Sequence, residues 1–199
     1  MPEKYPVQKR AEPVEDGSVI VHRHLDYEEA ELVVELIRNE TTITGYSIGE
    51  WMSKRDVVVC ADAMTGALLG VALVHHLLPG WSEIAVVLVL PKWRGHGIGA
   101  RLVKHAAEYI ESLRRKAILF YCQDSMERIV LRLGFDTYAD DVAFARKSWP
   151  RLLFLKVIYP LQWRAESYRR QEIRRKMETL HCHFQFKIAV PAHIQRLES

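Results

Sequence analysis

A chain of 199 residues has room for one ordinary core plus extensions, and its 28 Lys and Arg against 25 Asp and Glu leave a net charge of only +3. That balance does not by itself argue for a nucleic-acid partner, and no apolar run reaches the roughly 18–20 residues of a membrane-spanning helix. The cysteines, Cys60, Cys122 and Cys182, are far apart with no paired spacing, which favours a reducing compartment, nuclear or cytoplasmic.

Residues 1–16 hold three prolines, many charges and little apolar content, so a tail is expected there, with no secretory leader. Residues 18–25 form a first strand. Asp26 is a helix N-cap, and Glu29 three positions on completes a capping box. Leu25 and Ala30 are spaced as a staple, and Leu32, Val33, Leu36 and Ile37 make the buried stripe of the first helix. A loop over 41–49 leads to a short turn around Trp51 and Met52. Residues 56–61 and 67–76 read as strands joined by a turn ending in Gly66, and Pro79-Gly80 turns the chain into a central strand over 82–90. Strict alternation puts Ile84, Val86, Leu88 and Leu90 on one face of that strand and Glu83, Ala85, Val87 and Val89 on the other.

Pro91 ends the strand, and Gly95, Gly97 and Gly99 lead into a helix striped by Ile98, Leu102, Ala106, Tyr109, Ile110 and Leu113. A glycine turn ahead of a helix N-terminus offers unpaired N–H groups and the positive end of the helix dipole, which suits phosphate. Residues 116–122 are a further buried strand. Asp124 caps the next helix with Glu127 behind it, Met126, Ile129, Val130 and Leu133 face the core, and Gly134 sits just past its end. A closing hairpin is expected from 136–144 and 152–159. Residues 161–179 read as a basic helix with an apolar stripe of Trp163, Tyr168, Ile173 and Met177 and a solvated charged face; residues 180–199 receive no assignment.

The glycine turn lacks the Gly-Lys-Ser/Thr ending of a Walker loop, and it does not open a parallel βαβ array as a dinucleotide fingerprint should. Arg94-Gly95-His96-Gly97-Ile98-Gly99 instead fits Arg/Gln-x-x-Gly-x-Gly/Ala, the acetyl-CoA signature of the GCN-related N-acetyltransferase (GNAT) superfamily, which this chain resembles. Ser82-Glu83-Ile84, the 11-residue offset from Glu83 to Arg94, and the Gly134-Phe135 pair are most similar to the PCAF-like histone lysine acetyltransferase branch. The resemblance implies an α/β (α+β) GNAT fold over 17–160, a mixed, mostly antiparallel sheet with helices on both faces, followed by a helical extension over 161–199. It also implies that N–H groups of Gly95, Gly97, Ile98, Gly99 and Ala100, with Arg94 beside them, hold the CoA pyrophosphate. Main-chain groups of Val87 and Val89 would pair with the pantetheine arm, and Ser125 would join the cofactor contacts.

Acetyl transfer to an amine requires loss of a proton, because an ammonium has no lone pair and a lysine with a pKa near ~10.4 is almost wholly protonated at neutral pH. Glu83, flanked by Trp81 and Ile84 on the central strand, is the candidate base, and the resemblance implies direct transfer without an acyl-enzyme. Tyr121 is a second catalytic candidate near the leaving thiolate, alongside a core or pantetheine-packing role. Small-molecule members of the superfamily often carry a tyrosine four residues before the equivalent of Gly134; here Val130 stands there. Cys122 lacks an evident base, and His181-Cys182-His183 offers too few ligands for zinc, so no metal is expected.

The expected activity is therefore acetyl-CoA-dependent N-acetylation of protein lysine, with a histone tail as leading acceptor and a chromatin or kinetochore assembly as a setting for the C-terminal helix. The alternatives are an acetyltransferase for small amines or protein N-termini, and a CoA-binding module without chemistry. An acidic groove around Glu83, Asp140 and Asp141 would favour the histone, an apolar slot the small amine.

Overall fold

Asp26 behaves as its position predicts: its side chain accepts from the Glu29 N–H, and Glu29 reaches back to the Asp26 N–H. The same reciprocal box opens the next helix at Ser47 and Glu50. In the computed structural model, which describes residues 17–78, 80–146, 148–180 and 186–192, the order is β1 (Ser18–His22), α1 (Tyr27–Asn39), α2 (Ile48–Ser53), β2 (Val57–Asp62), β3 (Leu68–Leu77) and β4 (Trp81–Val89). A 3-10 turn, Pro91–Trp93, precedes α3 (Ile98–Ser112), β5 (Lys116–Tyr121), α4 (Asp124–Arg132) and β6 (Phe135–Tyr138). Then come α5 (Asp141–Ala145), α6 (Trp149–Leu153), a π-helical stretch Phe154–Ile158, α7 (Tyr159–Ala165), α8 (Ser167–Thr179) and β7 (Lys187–Pro191).

The seven strands form one mixed sheet in the order β1-β2-β3-β4-β5-β7-β6, antiparallel except for the β4–β5 pair. Helix α3 packs Leu102, Val103, Ala106 and Ile110 on one face, where α4 adds Val130. Helices α1 and α2 cover the other face with Val33, Ile37 and Trp51. Gly70 on β3 makes the close approach of α3 possible, since a Cβ there would lie 2.9 Å from the Leu88 carbonyl oxygen and 3.1 Å from the Ile98 side chain.

The α/β architecture with helices on both faces is as expected, and three expectations change. The closing hairpin is absent: residues 152–159 are helical, and the last strand is β7, inserted between β5 and β6. Phe144, Phe154 and Leu155 from these helices bury against Trp81, Ile118 and Ile188, which explains why an apolar run that reads as a strand serves better as a cover. The face of α8 is the second change. It turns Arg169, Glu172 and Lys176 inward, at i, i+3 and i+7, while Met177 is half exposed. The third concerns α4, which starts after Gln123 with no side-chain cap; Asp124 is its first residue. His181, Cys182 and His183 lie outside the described residues.

Candidate functional site

The site is built on an irregularity in β4. Opposite β3, Val86 pairs with Leu73 and Ile84 with Val74, so Ala85 is an extra residue, a β-bulge. The bulge inverts the alternation: Ile84 joins Val87 and Val89 on the α3 face, while Val86 and Leu88 pack beneath α1. Glu83 points to the α1 face and not, as strict alternation has it, alongside Val87 and Val89.

Strands β4 and β5 pair only from Trp81–Lys116 to Glu83–Ile118. Beyond that point they part, and β5 turns to β7. The Leu90 N–H bonds to the Leu69 carbonyl, so the alternating ladder sends the main-chain groups of Val86 and Leu88 to β3 and those of Val87 and Val89 toward the opening. The Val89 carbonyl accepts from Arg94 Nε at 3.3 Å. An extended ligand can enter this gap and add itself as a strand.

At the mouth of the gap lies the glycine turn. Gly95 and Gly97 have φ of 86° and 76°, left-handed values that suit glycine, and a Cβ at either would meet open space. Arg101 is the first residue of α3 whose N–H bonds back along the chain, to Gly97 O, leaving the first-turn amides of Ile98, Gly99 and Ala100 without helical partners. Gly99 lies against Val89 and Ile129, which joins the turn to the end of β4 and to α4. The residues fit a pyrophosphate by their amides; Arg94 is also paired with Glu40. Ser125, exposed in the first turn of α4, donates to the Gln123 side chain.

On the inner side, the parted strands open into a cavity of about 560 Å³, whose walls include Ala85, Val87, Phe120, Cys122, Tyr159 and Arg169. The loop between α1 and α2 crosses one side, where Cys122 donates to the Thr42 carbonyl at 3.4 Å. The arm from α6 to α8 roofs it with Leu155, Tyr159, Pro160 and Trp163. Asp140 and Asp141 stand on the wall, but Asp140 caps α5 and Asp141 is paired with Lys156.

Glu83 is 1 % exposed and lies just behind this wall. Arg169 grips it with a fork, Nη2 donating to Oε1 at 2.7 Å and Nη1 to Oε2 at 3.2 Å. The Arg169 guanidinium also donates to Thr44 (3.0 Å), Tyr46 (3.3 Å) and Glu166 (3.1 Å), and its carbon lies 4.7 Å from the Trp163 ring centre. Burial works against the Arg169 cation, but the charge and hydrogen bonds of Glu83, together with Tyr46 and Tyr159, outweigh it and raise its pKa well above the ordinary value. Glu166 is pushed up by burial, yet His75, at 2.8 Å, and Arg169 hold its carboxyl below the usual range. The Tyr159 hydroxyl lies 3.5 Å from Glu83 Oε1, and burial, followed by the Glu83 charge, drives its pKa up, so it stays protonated.

Tyr121 and Glu83 are not brought together. Tyr121 packs with the α3–α4 cluster, whereas its neighbour Phe120 faces Tyr159, ring centres 4.7 Å apart. The Tyr121 hydroxyl is buried near Thr137 and Glu127 without bonding geometry to a described residue, and burial raises its pKa. Val130 is fully buried, as a core residue. No motif in the sequence alone marks Arg169, Tyr159, Glu166 or His75 as a site residue. The available signal is the i, i+3, i+7 spacing of Arg169, Glu172 and Lys176, masked by the competing apolar stripe of Trp163, Tyr168, Ile173 and Met177 on the same segment.

Comparison with known proteins agrees with this geometry. A model of the acetyltransferase (GNAT) family matches residues 21–135, more than half of the chain. Mycothiol acetyltransferase of Mycobacteroides abscessus is 29% identical over 101 residues, covering 48% of this chain and 34% of its own, so the chain spans about a third of that curated relative. Among solved structures, N-acetylglutamate synthase of Neisseria gonorrhoeae, complexed with coenzyme A and N-acetyl-glutamate, is similar with a TM-score of 0.59 at 15% identity, covering 87% of this chain and 34% of that one. The protein Rv2747 of Mycobacterium tuberculosis, in complex with CoA, gives a TM-score of 0.59 at 14% identity, covering 87% of this chain and 98% of that one. At those identities the structures speak for the fold alone; the family match, the bulged strand, the parted β4–β5 pair and the glycine turn together place this chain in the GNAT family of acetyltransferases.

Proposed function

We propose that the protein is an acetyl-CoA-dependent N-acetyltransferase acting on a small primary amine. The observation that carries this reading is the roofed cavity continuous with the β4–β5 opening, ending beside a buried carboxylate. Amides of the glycine turn hold the pyrophosphate, and Val87 and Val89 pair with the pantetheine arm, which sets the thioester within the gap. The amine nitrogen attacks the thioester carbonyl carbon as the C–S bond breaks, and the thiolate leaves as CoA.

Because Glu83 stands behind the wall, the proton needs a carrier. The Tyr159 hydroxyl faces both the cavity and Glu83 Oε1, so it accepts the ammonium proton while passing its own to the carboxylate. Its raised pKa suits a conduit and rules out a phenolate base at neutral pH. Tyr121, which packs with the α3–α4 cluster and also lines part of the cavity, has a packing role in this scheme.

The roof formed by α6–α8 supports a compact acceptor over an extended histone tail, and the carboxylates expected to line an acidic groove are engaged: Glu83 with Arg169, Asp141 with Lys156. The same walls, rich in Phe120, Tyr159, Trp163 and Leu155, suit an amine on an apolar body.

The test is CoA release from acetyl-CoA with phenethylamine, spermidine, glutamate or a lysine-containing histone-tail peptide as acceptor. A small amine should exceed the peptide in kcat/KM by about tenfold or more. Transfer to the peptide alone would restore the protein-lysine reading; binding of CoA without any transfer would leave a binding module. Glu83→Gln should lower turnover by ~10²–10⁴ with acetyl-CoA affinity little changed.

A further inference from the structure

We propose that Arg169, on a helix outside the family-matched stretch, is the positioning residue that fixes Glu83 beside the acceptor end of the cavity, so that the C-terminal arm completes the site. The inference rests on the reading of Glu83 as proton acceptor. A carboxylate that is 1 % exposed is costly to keep as an anion unless a cation and hydrogen bonds compensate. Arg169 supplies both, through a two-point fork that fixes the plane of the carboxyl group as well as its charge. A lysine could supply the charge but not the fork.

The guanidinium is itself held on every side. Thr44 and Tyr46 come from the loop before α2, Glu166 precedes α8, and Trp163 on α7 lies under its face. Glu83 is faced by Arg169 from α8 and Tyr159 from α7; Tyr46 and Glu166 lie behind Arg169, and His75 is opposite Glu83 in the β3–β4 register and pairs with Glu166. The fork uses one lone pair on each carboxylate oxygen and Tyr159 approaches Oε1, which leaves the carboxylate able to take a proton without releasing Arg169. Glu166, the second carboxylate on the guanidinium, is paired in turn with His75.

The test is a pH titration of protein labelled with ¹³C at the glutamate carboxyls, with Glu83→Gln identifying the resonance, so that no acceptor is needed. Arg169→Gln should move the Glu83 midpoint upward by about one pH unit or more. Arg169→Lys should leave the midpoint near that of the wild type yet lower turnover of an accepted amine by about tenfold. Lys104→Met, which removes an exposed pair with Glu108 on α3 without touching Glu83 or the arm, should leave the midpoint where it was. An unmoved midpoint in folded Arg169→Gln would overturn the proposal. Should that variant fail to fold, full turnover by Arg169→Lys would overturn it, and reduced turnover at an unmoved midpoint would support it. A wild type that binds CoA but transfers no acetyl group would remove the acetyltransferase reading while leaving the titration result standing.

Discussion

Lys176 has no solvent exposure, and its ammonium donates to three carbonyl oxygens at the end of α1 and in the following loop: Ile37 at 2.5 Å, Glu40 at 2.6 Å and Ile43 at 2.6 Å. The Glu172 carboxylate is 3.7 Å away. The position also favours a cation, since it lies at the negative end of the α1 dipole. Lys176→Met keeps most of the stem's volume and removes these bonds. Ile37 O retains the Glu40 N–H, whereas Glu40 O and Ile43 O lose this donor, at about 1–3 kcal/mol each. The relief of a buried ammonium offsets part of that, leaving a net loss of about 2–4 kcal/mol. Because Lys176 joins α8 to α1, the loss should appear first as opening of the arm. Hydrogen exchange by mass spectrometry should show faster exchange in α7 and α8, with β2–β4 little affected, and the urea midpoint should fall. Unchanged exchange in α8 together with an unchanged midpoint would refute the claim that this buried cation ties the arm down.

Gly70→Ala should destabilise by about 1–3 kcal/mol, because the new methyl meets the Leu88 carbonyl and the Ile98 and Leu102 side chains; differential scanning calorimetry should show a lower Tm, and an unchanged Tm would mean that α3 can shift freely. For Glu166, whose folded-state pKa is depressed, the contribution to stability is fully present above the unfolded carboxyl value near ~4.3 and is lost as pH falls through the lower folded value. Urea unfolding of wild type and Glu166→Gln should therefore differ most at neutral pH and converge as pH falls below the ordinary carboxyl range, whereas a constant gap would contradict the assignment.

The parts of the fold written in local chemistry were legible. Asp26 and Glu29 mark the start of α1, Gly134 takes the left-handed position after α4 with φ 75°, and the glycines around His96 announce a helix entered from a tight turn. The bulge was not, because both faces of β4 are apolar and an inserted residue leaves no mark in a pattern that has no polar side. Glu83 could be picked out as a lone carboxylate in a buried strand, but its facing depends on that bulge. Residues 152–159 carry strand-like composition, and only the need to cover Trp81, Ile118 and Ile188 decides for helix. Arg169 and Lys176 looked like surface charges because burial of a cation depends on partners far away in sequence, Glu83 for one and the α1 carbonyls for the other.

We propose that the main chain of β4 beyond the bulge and the glycine turn together hold CoA. Amide hydrogen exchange with and without saturating CoA tests it most directly. Exchange should slow in residues 85–89 and 95–101, accompanied by thermal stabilisation through binding to the folded state. Stabilisation by CoA with exchange unchanged in both stretches would contradict it.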